Sequence, residues 1–248
     1  MAALYGLIAL KNLGIIPKRS FRIVFGSNEE IRMDDIRHYL EVEDKPVMGF
    51  VPDNKFPAIY GERGRAVISI NGNKERLKSF IKEYFSDREN ITQKLGIDYE
   101  DEIFGKMILR GINTDLNLER GILKFSLSTP VCDIKEVLNL IKNKACGLKV
   151  QILSWNEWEI KNKNSTNVML LNQVYNEITG QNLVPTTTTG MTYAHYIKNV
   201  IPFGPSFPGQ NGIAHLTNEW IDIEDLIKCA KIYAHALYRY NEVEEIIK

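Results

Sequence analysis

The sequence predicts an α/β fold in which a mixed sheet flanked by helices is interrupted by a smaller α+β unit. Near the start, an apolar segment with helical spacing is followed by a continuously apolar strand, a pattern typical of parallel sheets covered on both faces. Short strands and helices alternate in the middle of the chain. A polar segment, residues 161–165, then precedes a return to longer helices, which indicates that the middle is an insertion.

The first part of the outer domain is predicted to contain a helix at residues 3–13, ended by Gly14, and a strand at residues 21–25. The strand stops at a Gly-Ser-Asn-Glu-Glu sequence, and a second helix is predicted at residues 33–40. Ligands bind beyond the carboxyl ends of strands in open α/β sheets. The two glutamates therefore follow the strand at a position where a site is expected.

The insertion is predicted at residues 65–166, and the outer domain is formed by residues 1–64 and 167–248. The elements expected in the insertion are strands at 66–70, 121–128 and 148–153 and helices at 76–85 and 134–143. The outer domain resumes with a helix that carries Val168, Leu171 and Val174, and it ends with a long helix at residues 223–247.

Composition excludes several classes of function. Lys plus Arg and Asp plus Glu each number 31 among the 248 residues, so neither a nucleic-acid groove nor an anionic membrane partner is indicated. Three widely spaced cysteines fit no disulfide framework. The apolar first ten residues lack a basic start and are too short to span a bilayer. These features predict a cytoplasmic protein.

The candidate chemical groups are Glu29, Glu30, Asp53 and His215, each flanked by Gly, Pro or Asn. Two carboxylates and an imidazole suit a divalent metal, and a further carboxylate could take a proton from metal-bound water. That chemistry is hydrolysis. Spacing alone favours a plainer interpretation, in which the glutamates stabilise a helix N-terminus and the other two are turn residues.

Motifs in both parts of the outer domain favour the hydrolytic site over the plainer interpretation. They are the sequences at residues 26–30, 50–57, 60–64, 190–194 and 207–220. Together they resemble the peptidase V, Xaa-His dipeptidase (carnosinase-like) branch of the aminoacylase superfamily of zinc metallopeptidases. The resemblance implies a zinc-exopeptidase-like domain with an inserted ferredoxin-like lid, which hydrolyses the amide bond of dipeptides.

The resemblance also implies roles for individual residues. Glu29 would be the general base that activates a water bridging two zinc ions, and Glu30 and His215 would be ligands of one zinc ion. Asp53 would bind the other. Gly190, His195 and Asn218 would contact the substrate. Two cations lower the pKa of a bridging water, so a nearby carboxylate can generate hydroxide near neutral pH.

The chain departs from the family pattern in three places. It is expected to start after the segment that supplies one zinc ligand and the bridging Asp, so we expect at most one weakly held zinc site. The lid is expected to be shortened, because no histidine motif occurs between Ile70 and Arg76. His195 occupies the place of an Arg that clasps the substrate carboxylate, and a purely structural role for this histidine stays open.

Two functions follow from these departures. The first is a dipeptidase that is impaired or that requires a missing N-terminal segment. The alternative is a non-catalytic remnant that acts as an oligomeric scaffold or a peptide-binding protein. Met1, Tyr5 and Leu10 are expected to form an exposed apolar patch, which favours a homo-oligomer or a complementing N-terminal chain.

Overall fold

The computed structural model describes residues 1–116, 120–210 and 214–244. It divides into two compact units, one formed by Met1–Tyr60 with Ile160–Lys248 and the other by Gly61–Glu159. The sequence placed the corresponding insertion at residues 65–166.

The helices are α1 (Ala2–Asn12), α2 (Asp34–Val42), α3 (Lys74–Tyr84), α4 (Ile91–Leu95), α5 (Ile134–Lys144), α6 (Thr166–Thr179) and α7 (Ile223–Glu242), with a 3₁₀ turn at Tyr193–Tyr196. The strands are β1 (Gly49–Val51), β2 (Ile59–Glu62), β3 (Gly64–Asn73), β4 (Glu100–Asp101), β5 (Gly105–Lys106), β6 (Ile108–Asp115), β7 (Arg120–Thr129), β8 (Lys149–Asn156), β9 (Glu159–Ile160), β10 (Thr186–Thr188) and β11 (Val200–Pro202). In the part of the chain that the structure describes, no helix has the length and apolar character needed to cross a membrane.

The outer unit is organised around the helix pair α6 and α7 and the parallel strands β1 and β11. The side-chain amide of Asn167 in α6 donates to the carbonyl oxygens of Gly49 at 2.8 Å and Asn199 at 3.1 Å. Tyr240 of α7 donates its hydroxyl to the Asn167 side-chain oxygen. These buried bonds fix the helices against the start of both strands, because an unpaired amide there would be costly.

The inserted unit is a four-stranded antiparallel sheet in the order β6-β7-β3-β8. Together with α3 and α5 it has the β-α-β-β-α-β sequence of ferredoxin-like units. Ile68 and Ile70 of β3 and Leu77 of α3 are fully buried, which places the core between the sheet and these helices. Asn73 caps α3 by accepting from the backbone N–H groups of Glu75 and Arg76.

The structure confirms the predicted α/β class, with two corrections to the predicted elements. Residues 21–25 were predicted to be a strand, but they have no regular structure, because no strand in the described ranges pairs with them. A β conformation needs a partner for its backbone groups. Strand β6 was not predicted, since its side chains are mostly exposed and give no apolar pattern.

The ends of the chain also differ from expectation. Helix α7 ends at Glu242 rather than at residue 247, and residues 245–248 lie outside the described ranges. Met1 and Tyr5 are exposed as predicted, at 74% and 61% of their surface, but Leu10 is only 7% exposed. The prediction for Leu10 was wrong because α1 packs on α7 and turns this side chain inward.

Candidate active site

The acidic loop, residues 27–30, is held by a tight turn that immediately precedes α2. The backbone carbonyl of Asn28 accepts from the N–H groups of Ile31, Arg32 and Met33 at 3.4, 3.3 and 2.9 Å. Met33 is buried and has a left-handed backbone, with φ of 54°. The turn therefore leaves Glu29 half-buried and Glu30 exposed.

Glu30 and His215 face each other at this loop. The Glu30 Oε2 atom lies 3.6 Å from His215 Nδ1, and both side chains are about 70% exposed to solvent, at 71% and 70%. His215 has φ of 63°, and its backbone N–H donates to the Glu219 carboxylate at 3.3 Å. The structure thus brings together two of the predicted metal ligands, which lie far apart in the sequence.

Glu29 and Asp53 belong to the same electrostatic cluster. Burial, together with the charges of Asp53 and Glu30, raises the pKa of Glu29 to about 7, while His215 opposes the rise. Burial also raises the pKa of Asp53, with a contribution from Glu30 and opposition from His215. Part of the Asp53 surface remains exposed, so its desolvation is partial. All four predicted residues therefore act on one another.

Asp53 is positioned by β1, which ends two residues before it and pairs in parallel with β11. The adjacent Asn54 is held by the Thr188 hydroxyl, which donates to Asn54 Oδ1 at 2.7 Å. The backbone N–H of Gly190 donates to Thr188 Oγ1 at 3.2 Å. A carboxylate at the carboxyl end of β1 agrees with where ligands bind in sheets of this class.

The predicted substrate-binding residues lie in three local environments. Gly190 packs so closely that a Cβ atom would lie 2.8 Å from Asn54 Nδ2. His195 belongs to the 3₁₀ turn, is half-buried, and its ring centroid lies 5.1 Å from that of Tyr196. Asn218 is exposed with φ of 61°. Their contact with a substrate stays a prediction.

Sequence reasoning missed Asp35 and gave Tyr193 no role. The Asp35 Oδ2 atom accepts from the backbone N–H groups of Ser27 and Asn28 at 2.7 and 3.0 Å. It also accepts from the Tyr193 hydroxyl at 2.6 Å. Asp35 lies in the first turn of α2, where carboxylates are common, so the sequence gave no signal of a contact with a residue 158 positions away.

The donor atoms of the site are of the types that bind a metal ion, but there are too few of them for a tight site. Glu30 and His215 provide the oxygen and nitrogen donors that zinc accepts, whereas tight structural or catalytic zinc sites use at least three protein ligands. Within residues 1–116, 120–210 and 214–244, no three His, Cys, Asp or Glu side chains are gathered closely enough to hold an ion.

The sequence assigns the family. The model of "Peptidase family M20/M25/M40" matches residues 1–239, and the chain belongs to this family. Putative dipeptidase YtjP of Bacillus subtilis is 23% identical over 338 aligned positions, which cover 96% of this chain and 73% of the relative. Because the alignment is longer than this chain, the relative contains segments with no counterpart here.

A higher identity is found over a shorter region. The Beta-Ala-Xaa dipeptidase of Lactobacillus delbrueckii subsp. lactis is 41% identical over 64 residues, or 26% of this chain and 14% of that protein. Solved structures share the fold. A tripeptidase from Staphylococcus aureus has a TM-score of 0.69 at 15% identity and covers 98% of this chain and 69% of its own. Human carnosine dipeptidase 1 has a TM-score of 0.61 at 11% identity and covers 98% and 70%.

Membership of this family classes the chain as a hydrolase of the metallopeptidase type. The prediction of this enzyme class is therefore confirmed. The finer assignments, to the peptidase V branch and to individual residues, stay predictions.

Proposed function

We propose that this chain hydrolyses the amide bond of dipeptides with Glu29 as the general base. The observation that carries the proposal is the cluster in which burial and the charges of Asp53 and Glu30 raise the pKa of Glu29 to about 7. A general base works best when its pKa lies near the working pH, because both its deprotonated fraction and its basicity are then useful.

In the proposed reaction, the Glu29 carboxylate takes a proton from a water molecule as the water oxygen attacks the carbonyl carbon of the peptide bond. The same carboxyl group then gives this proton to the departing amine nitrogen, and the carbon–nitrogen bond breaks. The products are two amino acids. A protonated Glu29 cannot accept a proton from water, so activity is expected to be lost on acidification.

Zinc is the proposed cofactor, and Glu30 and His215 are the residues that would hold it. A bound zinc ion supplies a Lewis acid that polarises a carbonyl group and acidifies a water molecule. A pair of exposed ligands is one short of the usual three, so we propose weak zinc binding and impaired hydrolysis unless a further polypeptide segment supplies ligands. Asp53 would bind a second ion only with such help.

The proposed substrates are dipeptides of the Xaa-His or related type. The support is the names of the relatives, which include putative dipeptidases and a Beta-Ala-Xaa dipeptidase. His195 is proposed to contact the substrate carboxylate, with Gly190 and Asn218 nearby. An imidazole lacks the two-pronged donor geometry of an arginine, so substrate affinity is expected to be lower than with arginine at that position.

We further propose a homo-oligomer, or a complex with a complementing chain, in the cytoplasm. The exposed apolar residues Met1 and Tyr5 on α1 support association. The cysteines Cys132, Cys146 and Cys229 are all free, as expected for a reducing compartment. The unit Gly61–Glu159 is proposed to be a shortened lid.

Calorimetric zinc titration, with dipeptide hydrolysis measured in the same samples, tests the function. Glu29→Gln is expected to lower kcat by roughly 10²- to 10⁴-fold and to leave zinc binding intact. The matched control is Glu41→Gln, which removes an exposed carboxylate of α2 that pairs only loosely with His38 at 3.8 Å. Equal activity of Glu29→Gln and the wild type would refute the role of the base.

The second candidate function is a non-catalytic scaffold or peptide-binding protein. It is favoured by one observation: of the predicted metal ligands, only Glu30 and His215 form an ion pair, and the described residues assemble no three-ligand group. Zinc or peptide binding without turnover, at any zinc concentration, would select this alternative.

A further inference from the structure

We propose that Asp35 and Tyr193 act as a pair of positioning residues for the acidic loop, residues 27–30, and thereby fix where Glu29 and Glu30 point. The catalytic consequence of this pair rests on the function proposed above. The positioning itself does not, because it concerns contacts that form without metal or substrate.

The contacts converge on one atom. Asp35 Oδ2 accepts from the N–H groups of Ser27 and Asn28 and from the Tyr193 hydroxyl, at 2.7, 3.0 and 2.6 Å. The second oxygen, Oδ1, accepts from the backbone N–H of Ile36 at 2.9 Å. Hydrogen bonds to an ionised acceptor are stronger than neutral ones. Because the next residue after Asn28 is Glu29, a change at Asp35 is transmitted directly to the acidic pair.

Helix α2, which carries Asp35, and the 3₁₀ turn, which carries Tyr193, pack against each other. Ile36 of α2 and Ala194 of the 3₁₀ turn are buried in one apolar cluster, and Tyr193 packs on its edge. The helix and the turn therefore form a firm base, which a positioning role requires.

The ring of Tyr193 also shapes the chain before the acidic loop. A Cβ atom on Gly26 would lie 2.1 Å from the Tyr193 hydroxyl oxygen, so only glycine leaves room for the ring there. The hydroxyl end of Tyr193 therefore occupies the space beside Gly26, immediately before the acidic loop.

The protonation states suit this arrangement. Burial raises the pKa of Asp35, but the hydrogen bonds from Tyr193, Ser27, Asn28 and Ile36 outweigh it and bring the pKa below its ordinary value. Burial, together with the hydrogen bond to Asp35, raises the pKa of Tyr193 to about 12. At neutral pH the carboxylate is ionised and accepts, while the phenol keeps its proton and donates.

Tyr193→Phe in the full chain tests the proposal, with Tyr196→Phe as the matched control. Both variants remove one hydroxyl from the same 3₁₀ turn that bonds to α2, but only Tyr193 bonds to Asp35. The first readout is the solvent exchange rate of the Ser27 and Asn28 amide protons, measured by NMR in metal-free protein. Further readouts are zinc affinity by calorimetry and the separate values of kcat and KM for a dipeptide.

Tyr193→Phe is expected to accelerate exchange of both amides and to weaken zinc binding, each by about tenfold, since it removes a hydrogen bond to a charged group. We expect kcat to fall by about tenfold with KM changed less than about twofold. Tyr196→Phe is expected to change each quantity by less than about twofold. The double variant Asp35→Asn with Tyr193→Phe is expected to be no worse than Asp35→Asn alone, because the two residues act as one unit.

Equal exchange rates in Tyr193→Phe and the wild type would overturn the proposal, as would equal effects of the two tyrosine variants. A wild-type chain that hydrolyses nothing would refute the proposed function, while the amide exchange rates would still decide whether Asp35 and Tyr193 position the loop. If Asp35→Asn does not fold, the comparison of the two tyrosine variants decides alone.

Discussion

Replacing Glu29 by Gln is expected to stabilise the metal-free chain at pH 8 and to leave its stability unchanged near pH 4. The folded structure raises the pKa of Glu29 from 4.5 to about 7. Between these values the folded state binds more protons than the unfolded state, so the free energy of unfolding falls as the pH rises through this window. Glutamine does not ionise, so the free energy of unfolding of the variant does not fall in this way.

The magnitude follows from the two pKa values. A tenfold change in proton affinity corresponds to about 1.4 kcal/mol, so the separation between 4.5 and about 7 sets a ceiling of roughly 3 kcal/mol. Glu29 is only half-buried, and solvent screens charges at such positions. We therefore expect Glu29→Gln to gain about 1 kcal/mol at pH 8.

Hydrogen exchange of the slowest amides in α6 measures this gain, because α6 belongs to the same unit as Glu29. The measurement uses a chelator at pH 5, 6, 7 and 8, with exchange rates corrected for pH. Glu41→Gln, which removes an exposed carboxylate, controls for the change in net charge. A difference between Glu29→Gln and the wild type that does not grow from pH 5 to pH 8 would refute the reasoning.

Three further predictions concern stability and the acidic loop. Leu77→Ala, at a fully buried position, is expected to destabilise the inserted unit by roughly 2 to 5 kcal/mol, measured by urea unfolding; a loss below 1 kcal/mol would contradict the described core. Glu177 has a lowered pKa, chiefly through its hydrogen bond with His235. Its ionised form therefore stabilises the folded state above pH 4.5, and this stabilisation is lost as the pH falls through the pKa of the folded state. Glu177→Gln is expected to remove that dependence, worth no more than about 1 kcal/mol, in thermal unfolding between pH 3 and 6. Gly26→Ala is expected to displace the Tyr193 ring, since its Cβ would overlap the hydroxyl, and to weaken zinc binding in calorimetry at least as much as Tyr193→Phe; unchanged affinity would contradict the close approach.

The sequence predicted the bounds of a helix best where apolar residues recur at helical spacing within one segment. Helix α5 was predicted at residues 134–143 and runs Ile134–Lys144, because its apolar residues recur at helical spacing and Asp133 caps its start. The strand predicted at residues 21–25 failed for the opposite reason. Its apolar composition is local, but a strand also needs a partner from elsewhere in the chain.

In the candidate site too, local patterns predicted which residues matter, whereas contacts between distant segments could not be predicted. Glu29, Glu30, Asp53 and His215 became candidates because glycine, proline and asparagine around them mark loops at strand ends. Their predicted roles came from the resemblance of the surrounding motifs. The motifs could not show that Glu30 lies 3.6 Å from His215 or that burial and neighbouring charges raise the pKa of Glu29 to about 7. Both depend on which loops meet in space.

By itself, the sequence predicted the α/β class from the pattern of apolar residues and the metallopeptidase family from the resemblance of its motifs, and both predictions are confirmed. The residues assigned to hydrolysis stay predictions. Only the tertiary structure decided that Asp35 and Tyr193 support the acidic loop and that Leu10 is buried. A hydrogen bond between residues 158 positions apart depends on the folded path between them, and no local pattern records that path.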